Sequence, residues 1–220
     1  EMVTTADAAN KADSTMTVVR GTVGTKFLWP PGSIPLLMTV CSVSRYTGTT
    51  TARILGAYNS PSKSVNWLHG HHSNKRGVAF YELWKTSGSN VGTLTDWLVL
   101  CGSNTVSSPG NIVLDQQHVG IFASVETQVA QLNVNYHEPS GFDLHSVYIW
   151  NAQLSTVQMR HVTAALRAQI GGTPEFQSTT VVPMIPAPTA YEQVCPAGAY
   201  VDATNGDCVF CADNAVAPIG

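Results

Sequence analysis

The stretch FDLHSVYIWN, residues 142–151, decides the fold. Its aromatic and β-branched side chains predict a strand. A helix signal follows, because Ser155 and Gln158 form a capping box. Apolar residues then recur at helical spacing, at Met159, Val162, Leu166 and Ile170. Gly171 and Gly172 end this run. The sequence therefore predicts a strand that leads into one amphipathic helix, which covers an edge or end of a sheet.

Further strand patterns precede this segment along the chain. Each is short, rich in apolar and β-branched residues, and bounded by Gly, Ser, Thr, Asn or Pro. They span residues 15–20, 36–46, 52–57, 65–71, 77–86, 97–103, 111–114 and 131–136. Eight or nine strands at this spacing predict an all-β sandwich or jelly roll.

Four segments are predicted along the chain. Residues 1–14 are small and polar and form an N-terminal arm or edge strand, and residues 15–172 form the jelly-roll sandwich. Residues 173–190 are rich in proline, which predicts a semi-rigid extended linker. This linker offers candidate O-glycosylation sites at Thr179, Thr180 and Thr189. Residues 191–220 form a small cysteine-rich tail.

The composition indicates an extracellular protein with protein or glycan partners. Only 11% of residues are charged, against roughly 25% in ordinary soluble proteins, whereas serine and threonine number 41. The 11 basic residues are outnumbered by 14 acidic ones, so no basic stripe for nucleic acid is present. No apolar run reaches the length of a membrane span. The expected partners are other extracellular subunits, copies of this chain, or glycans.

Five cysteines predict disulfides and a secreted, cell-surface location. Cys41 and Cys101 are widely spaced and are expected to pair within the sandwich. Cys195, Cys208 and Cys211 crowd into the tail, where a Cys195–Cys208 bond is expected. The odd number leaves one thiol for a partner elsewhere. A zinc knuckle at Cys208 and Cys211 is the competing interpretation, but no second ligand pair follows.

Several segments together resemble the concanavalin A-like, laminin G-like jelly rolls of large secreted surface proteins from algae, oomycetes and other protists. The resemblance covers residues 15–172. It rests on the strand at 142–151 with the capped helix after it, and on CSVSRYTG (41–48), ARIL (52–55), NWLHGH (66–71) and DWLVLC (96–101). The tail is similar to short growth-factor-receptor-like cysteine repeats. The resemblance implies adhesion, carbohydrate recognition or structural assembly, although enzymes also occur on such folds.

The spacing of the acidic residues in the sequence predicts that the chain is not an enzyme. A glycosidase needs two carboxylates that face each other across a cleft. No two acids stand at alternate positions of one predicted strand, since the six within the sandwich are isolated: Glu82, Asp96, Asp115, Glu126, Glu138 and Asp143. Nucleophile elbows, phosphate loops and zinc-protease helices are also missing from the sequence. No cofactor is predicted.

Two histidines are candidate metal ligands. His69 and His71 stand two apart and would share one face of a strand, with His118 or His145 as a third ligand. A structural role is favoured, because no third ligand stands at a recognisable spacing. Oxygen ligands for calcium are sparse, at Asp115, Asn135 and Asp143.

Three residues are candidate ligand contacts. Trp29 stands in a Trp-Pro-Pro-Gly loop and could stack on a sugar or plug the sandwich. Arg45 and Arg53 flank the turn at 47–51, where basic side chains could meet a partner. For Arg45 a buried ion pair with Asp96 or Asp143 is favoured.

Two functions from different classes follow. The first is a non-catalytic structural or adhesive module of a surface or filament assembly. The second is a lectin-like domain that binds carbohydrate.

Overall fold

Short strands are the predominant regular secondary structure of the described chain, as the alternating apolar pattern predicts. The structure is a computed structural model that describes residues 3–60, 63–104, 112–121, 129–172, 199–201 and 208–210. It divides into two compact units, Glu1–Gln177 and Ser178–Gly220. The elements in chain order are β1 (Val3–Ala6), β2 (Met16–Gly21), β3 (Phe27–Leu28), β4 (Thr39–Tyr46), β5 (Leu55–Ser60), β6 (Lys63–His72), β7 (Lys75–Tyr81), β8 (Leu83–Trp84), β9 (Leu98–Ser103), β10 (Ile112–Leu114), β11 (Gln117–His118), β12 (Gln131–Val134), β13 (Phe142–Trp150), α1 (Thr156–Ile170), β14 (Ala199–Val201) and β15 (Cys208–Phe210).

Two antiparallel sheets form a sandwich in the first unit. The seven-stranded sheet has the order β1-β2-β13-β4-β9-β10-β11, and the six-stranded sheet has the order β3-β12-β5-β6-β7-β8. Strand β13 is inserted between β2 and β4, which precede it by about a hundred residues. The predicted all-β class with one helix is therefore confirmed, and the sandwich is consistent with a jelly-roll-like fold.

An inner core fills the space between the two sheets. Alternate residues of each strand point inward, because side chains of a strand alternate between its faces. The seven-stranded sheet contributes residues such as Tyr46, Leu98 and Phe142, and the six-stranded sheet contributes residues such as Trp67 and Leu132. All five are buried. This apolar contact holds the sheets face to face.

A second core lies on the other side of the seven-stranded sheet, under α1. Met159, Leu166 and Ile170 of the helix pack with strand residues that include Val43 and Val99. Both faces of the middle strands are consequently covered, and all eight residues of β4 are buried. This explains why the sequence of β4 lacks the alternation of a half-exposed strand.

The predicted ends of the helix are confirmed. The Ser155 Oγ accepts a hydrogen bond from the Gln158 N–H at 3.2 Å, and the Gln158 Oε1 accepts one from the Ser155 N–H at 2.8 Å. At the other end Gly171 has a φ of +61°. A Cβ at Gly172 would lie 2.1 Å from the Lys11 carbonyl oxygen, so only glycine fits this close approach.

One predicted disulfide is confirmed. Cys41 and Cys101 stand directly opposite each other on the neighbouring strands β4 and β9, and they are bonded. Both are fully buried in the core under α1. The bond links residues 60 positions apart in sequence.

Several predicted strand boundaries are wrong. The strand predicted at 77–86 is broken at Glu82, whose φ of +60° reverses the chain so that β8 folds back on β7. The strand predicted at 131–136 ends at Val134, since Asn135 has a φ of +57°. The strand predicted from residue 36 begins at Thr39.

The remaining predicted segments are described only in part. Residues 3–6 form the edge strand β1, which pairs with β2. The linker at 173–190 lies outside the described residues, and of the tail only the antiparallel pair β14 and β15 is described. Within the described chain, no helix has the length and apolar character that crossing a membrane requires.

Candidate ligand-binding site

Three charged residues form a row across the middle of the seven-stranded sheet. Asp143 on β13 stands directly opposite Arg20 on β2 and directly opposite Arg45 on β4. The three side chains lie on the face that also carries α1, because the residues two positions before each arginine, Val18 and Val43, belong to the core under the helix. The strand register therefore places one carboxylate between two guanidinium groups.

The Asp143 carboxylate is held by both arginines. Arg20 donates from Nε to Oδ1 at 2.7 Å and from Nη2 to Oδ2 at 2.9 Å. Arg45 donates from Nε to Oδ2 at 2.9 Å, and its Nη2 lies 2.7 Å from the same oxygen. The Asp143 side chain is fully buried, and a buried carboxylate needs such partners to remain charged.

The two arginines differ in their exposure. The Arg20 side chain is 43% exposed, whereas that of Arg45 is 10% exposed and lies over the Trp97 ring, 4.9 Å from its centre. Stacking on an aromatic face fixes the plane of the guanidinium group. The hydrogen bond to Asp143 raises the pKa of Arg20 above its ordinary value. The row thus carries two positive charges and one negative charge.

A polar pocket of about 480 Å³ opens beside this row, and we call it the arginine pocket. Three threonines, one amide and the two guanidinium groups supply its polar groups. It is lined by Asn10, Arg20, Gly21, Thr22, Arg45, Tyr46, Thr47 and Thr95. Its volume lies in the range of small-molecule sites, and its lining can both donate and accept hydrogen bonds. Such a lining suits a polar ligand of about the size of a sugar residue.

The sequence identified one of the two arginines of the pocket. Arg45 was a candidate contact, and the structure pairs it with Asp143 rather than with Asp96, which instead lies 3.8 Å from Lys11. Arg20 and the threonines were missed. The only signal for Arg20 is its alternation with Met16 and Val18 on β2, and that pattern does not reveal which strand lies alongside.

The other candidate arginine lies elsewhere. Arg53 does not line the pocket: its Nε lies 3.4 Å from Glu138, and its Nη1 donates to the Trp67 carbonyl at 3.0 Å. Burial lowers the pKa of Arg53, and Glu138 opposes that effect. His72 lies 3.2 Å from the same carboxylate. The structure therefore does not bring Arg45 and Arg53 together.

Trp29 packs partly on the interior core. Its ring lies 5.0 Å from that of Phe27, centre to centre, and its carbonyl accepts a hydrogen bond from the Gln131 side chain. The ring is half-buried. Trp29 thus follows β3 directly and packs against the inner core, and it does not line the arginine pocket.

The two candidate metal-binding histidines are fully buried in the sandwich. The His69 Nδ1 lies 2.7 Å from the Tyr81 hydroxyl, and its Nε2 lies 3.2 Å from the Leu100 carbonyl oxygen. The His71 Nδ1 lies 3.5 Å from the Ser44 hydroxyl. Burial lowers the pKa of His69 to about 4 and that of His71 well below its ordinary value.

No cluster of three or more metal-binding side chains occurs among the described residues. Of the candidate third ligands, His118 lies on β11, and His145 lies 3.2 Å from the Ser146 hydroxyl. The candidate calcium ligands are also engaged separately. Asp115 binds Arg167, with 2.6 Å between Oδ2 and Nη2, and the Asn135 amide donates to the Ser140 carbonyl at 2.7 Å.

The remaining sequence candidates lie largely outside the described residues. These are Cys195, Cys211, Thr179, Thr180 and Thr189. The backbone of Cys208 belongs to β15, opposite Val201. The Cys195–Cys208 bond and the glycosylation sites therefore remain predictions.

Comparison with known proteins returned structures of sialidases. No protein-family model and no curated protein matches the chain. Solved structures of Trypanosoma rangeli sialidase do match. A mutant that displays trans-sialidase activity is 13% identical, with a TM-score of 0.46, over 78% of this chain and 30% of that chain. The complex with sialic acid is 14% identical, with a TM-score of 0.43, over 77% of this chain and 30% of that chain.

These matches correct one prediction. The sequence predicted that the chain is not an enzyme, and that prediction is overturned because the structures that match are those of enzymes. The chain spans about a third of the length of these proteins, and the likeness at such identities and TM-scores assigns it no activity or substrate. No protein-family match confirms the concanavalin A-like or laminin G-like assignment.

Proposed function

We propose that this chain is an extracellular adhesive module that contributes to a surface or filament assembly by binding carbohydrate in the arginine pocket. The observation that carries the proposal is the pocket itself, which combines hydroxyl, amide and guanidinium groups in a space of about 480 Å³. Sugars present rings of hydroxyl groups, and these need a lining that both donates and accepts hydrogen bonds. The proposal includes the assignment of the sandwich to the concanavalin A-like, laminin G-like jelly rolls.

The extracellular location is supported by the buried Cys41–Cys101 bond and by the low content of charge. Disulfides form and persist in oxidising compartments, which include the extracellular space. Secretion and presentation at a cell surface are part of the same proposal.

A glycan array probed with the full chain tests the proposed binding. Thr47 is exposed and lines the pocket, so Thr47→Trp fills the pocket without disturbing the cores. Thr49→Trp is the matched control, because Thr49 is an exposed threonine of the same turn that does not line the pocket. We expect selective binding by the wild type and the control, and loss of binding in Thr47→Trp. Binding that survives Thr47→Trp, or an array without a bound glycan, would contradict the proposal.

Assembly through protein contacts is the second candidate, and exposed apolar side chains favour it. Leu28, Leu36, Leu37 and Val129 are 45%, 48%, 47% and 54% exposed. The bridge between Ile34 and Ala130 brings the segment that carries Leu36 and Leu37 to the segment that carries Val129, and Leu28 stands opposite Asn133 on β12. An apolar patch of this kind is typical of an interaction surface.

Sedimentation of the full chain tests the second candidate. Leu36→Ser with Leu37→Ser is expected to shift an oligomer to the monomer, whereas Val157→Ser, an exposed apolar residue on α1, should leave it unchanged. A wild type that is monomeric at every concentration tested would refute assembly through this patch.

A further inference from the structure

We infer that the arginine pocket selects acidic saccharides, whose carboxylate or sulfate group binds to Arg20 and Arg45. This inference rests on the proposed carbohydrate binding and specifies the class of sugar. The row of Arg20, Asp143 and Arg45 carries the charge on which this preference depends, because two guanidinium groups share one carboxylate. Arginine stays protonated at every physiological pH, so the row keeps one unbalanced positive charge.

The hydrogen bonds of the row leave donors available. Asp143 occupies the Nε and Nη2 atoms of both arginines. Among the described residues, no hydrogen bond uses the Nη1 atom of either arginine. Both arginines line the pocket, with 43% of the Arg20 side chain and 10% of the Arg45 side chain exposed. Two guanidinium groups beside one pocket thus each retain N–H donors for an oxyanion.

The site is preorganised for such a group. Asp143 and Trp97 hold Arg45, and Asp143 holds Arg20 through two hydrogen bonds. A donor that is already fixed loses little conformational entropy when a ligand binds. Charged donors also form stronger hydrogen bonds with carboxylate or sulfate oxygens than with neutral hydroxyl groups.

The neighbouring charges do not cancel this excess. Lys11 and Asp96 form their own pair at 3.8 Å beside the pocket residues Asn10 and Thr95. The charge of Asp7 also acts on Arg20, but Asp7 is exposed, where water and salt weaken its effect. The whole chain has a net charge of −3, so a positive pocket is a local feature rather than a general one.

Calorimetric titration of the full chain with matched sugars tests the inference. The probes are an oligogalacturonate, its methyl ester, a sulfated galactan oligosaccharide and its desulfated form. We expect binding of the two acidic probes to be at least about tenfold tighter than that of their neutral counterparts, since a hydrogen bond to a charged group is stronger than a neutral one. The preference should shrink as salt concentration rises.

Arg20→Gln is the variant that separates the explanations. It removes the more exposed cation and leaves the Arg45–Asp143 pair intact, so it should lower the affinity for acidic probes about tenfold. Arg160→Gln removes an exposed arginine from α1 and is the matched control. Equal affinity for acidic and neutral probes, or no effect of Arg20→Gln, would overturn the acidic preference while carbohydrate binding stands. The absence of binding by every probe would overturn both.

Discussion

Single residues decide the electrostatics of this sandwich, and their roles depend on which strands are neighbours. The sequence offered Asp96 and Asp143 as partners of Arg45, and the structure selects Asp143 because β13 lies beside β4. The same insertion of β13 brings in Arg20 from β2. No local sequence pattern predicts the ion pair between Arg20 and Asp143, since the two residues stand 123 positions apart. One arginine of the site was therefore predictable from the sequence, whereas the contacts that assemble the site were not.

Neutralising the centre of the row should destabilise the fold. Asp143→Asn removes the charge that separates two guanidinium groups and leaves Arg45 nearly buried without a counter-ion. We expect the free energy of unfolding to fall by about 3–5 kcal/mol, as for other broken buried pairs. Arg20→Gln should lower the free energy of unfolding by about 1 kcal/mol or less, because Arg20 is exposed and the ion pair between Asp143 and Arg45 remains. Denaturant unfolding of both variants measures this, and equal losses would contradict the asymmetry.

The buried histidines should make stability depend on pH. Burial holds the pKa of His69 at about 4 and lowers that of His71, whose neighbours include Arg76 and His69 itself. In the unfolded chain both would titrate near pH 6.5, so the unfolded state binds more protons between pH 6.5 and 4. Stability is therefore full above pH 6.5 and falls as the pH drops toward 4, by about 1.4 kcal/mol per pH unit for each histidine.

The pH dependence can be measured by denaturant unfolding at several pH values. His69→Gln should reduce the slope of the free energy of unfolding against pH between pH 6 and 4.5. The slope that remains should be approximately the contribution of His71. His161→Gln, on the exposed face of α1, is the matched control. A wild-type stability that does not change over this range would refute the neutral, buried state of these rings.

Elements were predicted well where their signals are local. The capping box at Ser155, the helical spacing and the glycine stop lie within one short segment, and the predicted helix is confirmed at both ends. Strand ends were predicted less well. The breaks at Glu82 and Asn135 depend on positive φ values at residues other than glycine, which the sequence does not reveal. The short strands β3 and β11 were missed because two residues are too few to show an alternating pattern.

The N-cap should contribute measurably to stability. Ser155→Ala removes the acceptor of the Gln158 N–H, and we expect the free energy of unfolding to fall by about 1 kcal/mol. Ser155→Asp keeps an acceptor at the same place and is expected to retain the stability of the wild type. Thermal and denaturant unfolding compare the three proteins. Equal losses in both variants would show that the cap is not the cause.

The first compact unit has three layers, two sheets and one helix, with a core in each gap. Composition and strand spacing predicted the all-β class, and the wide spacing of Cys41 and Cys101 suggested the confirmed disulfide. The order of the strands in the sheet was not predictable, because β13 pairs with strands that precede it by about a hundred residues. Ser42 and Ser44 of β4 alternate with Cys41 and Val43, which face the helix, so these two hydroxyl groups are buried in the gap between the sheets.

Removing the disulfide should lower global stability. The bond closes a loop of 60 residues, and loss of that constraint on the unfolded chain is expected to cost about 4 kcal/mol. Cys41→Ala with Cys101→Ala, compared with the oxidised and reduced wild type, measures the loss by denaturant unfolding. The reduced wild type should resemble the double variant. A reduced protein as stable as the oxidised one would contradict the expectation.

The position of β13 between β2 and β4 also determines the order in which the sheet can form during synthesis. A ribosome adds about 5–20 residues per second, so β13 emerges several seconds after Cys101. During that interval β2 and β4 expose the edges that β13 later occupies, and neither the sheet nor the arginine pocket can be complete. Cys41 and Cys101 lie on strands that are already neighbours without β13. The Cys41–Cys101 bond can therefore link β4 to β9 first, and β13 then completes a sheet that is already cross-linked.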